Sequence, residues 1–278
     1  MPWPWTSRFR RRAASDLESG KLRVLLASDA SPASAAAEQA TVWIRRALGA
    51  EVSAIVVGSQ AADPKDQENE VMFKHAVPDP AAAAAAIQDR LNAAGVAATV
   101  TAVRGPVAPT IVAAARHVDV LVMGNSQTGH LEFRGSGTIV DQVKNYVPCS
   151  ILVARHGRPR AVAAAIDGSQ PSIIAGRMAA HWATALDVPL RLLLADGVSK
   201  IPGLSSSDRE TVAGDAARAL VDWSRRHPDH LLVLGSRGQS NATLLHLGSV
   251  SDRVYLGATC SVLVVRPRRP GFNPHPAP

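Results

Sequence analysis

A stretch of 35 residues occurs twice in this chain, and that repeat limits the fold more than any other feature. Residues 121–155 and 232–266 align without a gap, 111 residues apart. They share 11 positions, including Asp141/Asp252, Cys149/Cys260, Leu152/Leu263 and Arg155/Arg266. Each copy opens on an apolar run that ends in glycine, Leu121-Val122-Met123-Gly124 or Leu232-Val233-Leu234-Gly235, and closes on a second apolar run. Two such units require two similar bodies, and 278 residues suffice for two modest domains.

Between these landmarks, short β-branched runs alternate with Ala-rich segments of helical length. In the first half the strands are Leu22–Ser28, Val52–Val57, Val96–Val103, Val118–Met123 and Cys149–Ala154. Alternation of this kind predicts an α/β fold with a doubly wound parallel sheet, five-stranded in the order 3-2-1-4-5. The pattern restarts after His156-Gly157-Arg158-Pro159-Arg160, where Ala161–Ile166 runs into Asp167-Gly168-Ser169 as Leu22–Ser28 runs into Asp29-Ala30-Ser31. From that Asp to the motif glycine is 95 residues in the first half and 68 in the second. With residues 208–226 taken as one helix, the second half lacks a strand–helix unit and has a shortened, four-stranded sheet. The expected organisation is a tail over 1–21, domain one over 22–155, a linker over 156–160, domain two over 161–266 and a tail over 267–278.

Composition narrows the class. No apolar run approaches the roughly 20 residues that span a bilayer, and no secretory signal is recognisable. Two cysteines at matching repeat positions make no disulfide framework, which fits a cytoplasmic protein. Four arginines in residues 1–12 and three in residues 266–278 account for the whole formal charge of +7. The body between them is neutral, which argues against a specific nucleic-acid partner, and both basic tails are expected to be disordered.

The repeated element has the makings of a phosphate cradle. In the second half, Gly235 and Gly238 flank Arg237, and after nine residues Gly248-Ser249 opens a helix, with Ser251 close behind. Glycines let a loop turn sharply and approach a ligand, and a helix start offers free N–H groups and a favourable dipole. Asp167, at the end of the first strand, serves either as a ligand contact or as a cap for the following helix. Arg237 offers a cation or points to solvent, and Ser249 caps its helix or donates to phosphate. The first half has Asp29, Gly124, Gly137 and Thr138 at the equivalent places, but Gln127 where the other copy has Gly238. Taken singly, a Gly after a strand is usually a turn and Gly-Ser before a helix is usually a cap.

At these residues the chain resembles the universal stress proteins, in a tandem form with two domains fused. The family signature is Gly, two residues, Gly, nine residues, then Gly-Ser or Gly-Thr, and Gly235, Gly238, Gly248 and Ser249 match it in full. The resemblance implies ATP as ligand, with or without Mg, together with an unidentified protein partner and a role in stress regulation. It also implies pairing through the last strands, here within one chain as a pseudo-dimer, and leaves open whether the tandem pairs again. The intact motif places ATP in domain two. In domain one, a Gln127 side chain crowds the phosphate path.

Two other functions compete with a nucleotide-gated regulator. A tandem whose nucleotide site has decayed would serve as a protein-interaction module. An enzyme that transfers phosphate is the weaker alternative, since the chain has no Gly-x4-Gly-Lys-Ser/Thr loop and no evident residue to position an attacking water. At most slow ATP hydrolysis is expected.

Overall fold

The computed structural model describes residues 21–58, 79–125, 139–198, 201, 204, 206, 208–236 and 247–266. Residues 1–20 and 267–278, which make up the expected tails except for Lys21, fall outside them. Among the described residues, ten strands form one sheet in the order β3-β2-β1-β4-β5-β10-β9-β6-β7-β8. In the first half these are β1 (Arg23–Ala27), β2 (Glu51–Gly58), β3 (Ala98–Arg104), β4 (Val120–Gly124) and β5 (Ser150–Ala154). The second half supplies β6 (Ala161–Ile166), β7 (Leu190–Ala195), β8 (Asp208–Val212), β9 (His230–Gly235) and β10 (Ser261–Val265). Neighbouring strands run parallel except β5 and β10, which pair antiparallel where the halves meet.

Side-chain alternation along each strand sends residues to opposite faces of the sheet, so two apolar layers form. On β1, Val24 and Leu26 join one layer, while Leu25 and Ala27 join the other. The first layer packs under α1 (Ala35–Leu48), α2 (Pro80–Ala93) and α5 (Gln170–Leu186). The second packs under α3 (Val107–Ala114), α4 (Ile139–Tyr146), α6 (Ala216–Arg226) and α7 (Ser249–Gly257). Across the junction on the first face, Trp43 of α1 meets Trp182 of α5 edge-on, with ring centroids 5.8 Å apart.

The four-stranded expectation for the second half is corrected. Residues 208–226 are not one helix: β8 pairs parallel with β7 from Arg191↔Asp208 to Ala195↔Val212, taking the place that β3 has in the first half. Gly214, at φ +76°, turns the chain, and Asp215 then caps α6 by accepting from the Arg218 N–H. Among the described residues, no helix lies between β7 and β8, where the first half has α2.

Local packing makes up for it. Ile201 and Leu204 are buried in the first layer. Room for Leu204 exists because Gly176 of α5 has no side chain, and a Cβ there would lie 2.6 Å from Leu204 Cδ1. On β8, Glu210 accepts from Trp223 Nε1 and Val212 packs in the second layer. Arg209 and Thr211 therefore fall on the uncovered face, and both are exposed and polar.

Candidate functional site

The ends of four strands and residues of three helices line a cavity of about 400 Å³ in the second half. Ile166 and Asp167 line it from the end of β6, Ala195 and Asp196 from β7, and Val212 from β8. Leu234 and Gly235 close it from β9, Ala216 and Leu220 from α6, and Gly248 to Ser251 from the start of α7. The cavity therefore lies at the carboxyl edge of the sheet, where β6 and β9 lead to opposite sides, the usual ligand position in open α/β sheets.

Among the expected residues of the second half, Asp167, Gly235 and Ser251 have definite local roles. The Asp167 carboxylate accepts from the Ser169 backbone N–H at 3.0 Å and from its hydroxyl at 2.5 Å. Burial pushes this carboxyl up, but the hydrogen bonds from Ser169 and Ser172 outweigh it and hold the group below its ordinary range. Ser169 in turn accepts from the Ser172 N–H and caps α5, so Asp167 supports the cap rather than forming it.

Gly235 is required by packing. A Cβ on it would stand 2.8 Å from the Pro171 carbonyl carbon and 2.9 Å from Ser172 N, because the first turn of α5 crosses the end of β9 at backbone contact. Ser251 is also engaged, its hydroxyl donating to the Gly235 carbonyl at 2.7 Å.

The start of α7 differs from its neighbours. Ser169 and Asp215 cap α5 and α6 with their side chains, whereas the N-cap of α7 is Gly248, which has none. Among the described residues no side chain caps the first turn, and Ser249, Val250 and Ser251 of that turn line the cavity. An uncapped helix start on a cavity is suited to an anionic ligand. Arg237 and Gly238, the remaining motif residues, lie outside the described residues.

The first half repeats this geometry where it is described. Asp29 accepts from the Ser31 N–H at 3.0 Å and from Ser34 Oγ at 2.5 Å. Against the effect of burial, these bonds hold its carboxyl low. Ala30 follows in the left-handed region at φ 60°, as Gly168 does at φ 81° after Asp167. A Cβ on Gly124 would meet the Ala33 carbonyl oxygen at 2.5 Å, the counterpart of the Gly235 contact. Gln127, Gly137 and Thr138 lie outside the described residues.

Asp196, Val212, Ala216 and Leu220 line the cavity but were not picked out in the sequence. Once β8 is absorbed into a helix, the strand end that carries Val212 and the helix start that carries Ala216 both disappear. Asp215, three residues before Arg218 and just after Gly214, was the available signal.

Comparison with known proteins agrees with this architecture. The model of the universal stress protein family matches residues 22–155 and 198–266. A universal stress protein of Mycolicibacterium smegmatis is 30% identical over 195 residues, which cover 58% of this chain and 66% of that protein. One from Mycobacterium tuberculosis is 26% identical over 192 residues, or 57% of this chain and 65% of the relative. The chain thus spans slightly less than two thirds of each of these relatives. The crystal structure of a universal stress protein from Archaeoglobus fulgidus superposes with a TM-score of 0.68 at 17% identity, covering 90% of this chain and 99% of that one. That likeness concerns the fold.

Proposed function

The chain belongs to the universal stress protein family, and on that premise we propose that its second half binds ATP and that the protein is a nucleotide-gated stress regulator. The observation that carries this reading is the cavity, which joins an uncapped helix start to an ionised carboxylate and an apolar wall. The N–H groups of Ser249, Val250 and Ser251 would hold phosphate, with the helix dipole favouring its charge. Asp167, an acceptor only, suits ribose hydroxyls. Ile166, Leu193, Val212 and Leu220 offer apolar surface for the base. A Mg²⁺ ion travelling with ATP would meet carboxylates at Asp167 and Asp196. Gating then acts through a protein partner in the cytoplasm. Among the described residues, no helix is long and apolar enough to cross a membrane.

A second reading, an interaction module without nucleotide, has one specific support. Gly235 and Ser251 are both accounted for by packing and hydrogen bonding within the chain, so neither needs a ligand to explain it.

Titration calorimetry with ATP separates the two, using wild type and Ser249→Asp. An acid at the first helical position favours the helix but repels phosphate, so the variant should fold normally. One site per chain, weakened about tenfold or more by Ser249→Asp, is the expected result. The absence of binding heat in wild type would favour the interaction module.

A further inference from the structure

We propose that Arg155, the last residue of the first domain, is a positioning residue for the cavity of the second. It acts through α7. That helix has nine residues, too few to hold its own shape in water, so its place is set by tertiary contacts: Val254 and Tyr255 are fully buried in the second layer, and hydrogen bonds grip both ends. The first turn is gripped from its own half, by Ser251 Oγ on the Gly235 carbonyl and by Gly248 N–H on the Ser236 carbonyl at 2.7 Å.

The far end is gripped by the first half. Carbonyls in a last helical turn lack intrahelical donors and carry partial negative charge. Arg155 Nη2 donates to the Tyr255 carbonyl at 2.5 Å, and Nη1 donates to the Cys260 carbonyl at 3.2 Å. Lys144 of α4 also reaches α7, at its first turn rather than its far end, with Nζ 2.6 Å from Asp252 Oδ1. Arg155 is itself fixed, because it follows Ala154, which is in register with Gly124 on β4. Its backbone N–H also donates to Ser261 Oγ at 3.0 Å.

The arrangement is reciprocal. Arg266, the repeat equivalent of Arg155, sends Nη2 to the Lys144 carbonyl at 2.5 Å, and Lys144 is the repeat equivalent of Tyr255. Each half thus caps the last helix of the other. Because α7 is short and its first turn lines the cavity, freeing its far end lets Ser249, Val250 and Ser251 shift. The second half alone does not hold its cavity in shape.

The test compares Arg155→Met with Arg266→Met, two variants that remove the same kind of cap from opposite helices. Amide exchange on the full chain without nucleotide is read first. Arg155→Met should speed exchange in 249–257 and spare 139–146, and Arg266→Met should do the reverse. Arg155→Lys, which keeps the charge and one donor, should fall between wild type and Arg155→Met, and it is the variant to read if Arg155→Met does not fold. ATP affinity is read second and rests on the nucleotide reading above. Arg155→Met should weaken it about tenfold or more, with Arg266→Met within about twofold of wild type. Equal loosening of both helices by both variants, or wild-type exchange over 249–257 in Arg155→Lys and Arg155→Met, would overturn the inference. If wild type binds no ATP, the nucleotide reading fails and the exchange pattern alone decides this one.

Discussion

Leu152 and Leu263 face each other across the antiparallel pairing of β5 and β10, and they are the same residue of the two repeats. The pseudo-two-fold axis of the molecule therefore passes through this pair, with Val153↔Val262 and Ile151↔Val264 on either side. Both leucines are fully buried. Either one changed to Ala should cost about 2–5 kcal/mol in urea unfolding. Since the two share one contact, the double variant should cost measurably less or more than the sum of the singles. Strict additivity would mean that the halves fold as independent units.

Gly235→Ala tests whether the motif glycine is held by packing. With the Pro171 and Ser172 backbone atoms under 3 Å from a new Cβ, β9 and α5 must separate. The expected cost is about 1–3 kcal/mol, read as a lower urea midpoint without any ligand present. An unchanged midpoint would return this glycine to a purely ligand-facing role.

Acid should destabilise the chain through Asp29 and Asp167. Both carboxyls are lower in the folded chain than their ordinary value of 3.8, so the folded state binds fewer protons there than the unfolded state does. Their contribution is complete above about pH 4 and is lost as pH falls through the lowered folded values. Asp29→Asn and Asp167→Asn should each flatten the fall of the urea midpoint between pH 6 and pH 3. A fall as steep as in wild type would show that neither carboxylate is linked to folding.

Much of this architecture was legible because the repeat is gapless at the halves' shared end. The repeat gave β4, β5, β9, β10 and the helices between them, and the alternation of Val-rich and Ala-rich runs gave the rest of the first half. Asp208–Val212 was not legible as a strand. Its residues, Asp-Arg-Glu-Thr-Val, form a charged edge with one apolar position, and no helix among the described residues precedes it to mark a strand-helix-strand unit. Its tertiary partner β7 decides its conformation. Asp167, Gly235, Gly248, Ser249 and Ser251, singled out in the sequence, line one cavity. The wall from Asp196 to Leu220 was missed along with β8. Why Gly235 and Ser251 are needed was also hidden, since a glycine required by a helix crossing and one required by a ligand look the same in a sequence.

The most direct test of the central claim is photolabelling of the full chain with an azido-adenine nucleotide, followed by mapping of the labelled peptides. Saturable labelling on residues 165–167, 193–196 or 212–220, displaced by excess ATP and lost in Ser249→Asp, is the expected result. Labelling confined to the first half, or labelling that excess ATP does not displace, would contradict the assignment of the nucleotide to the second half.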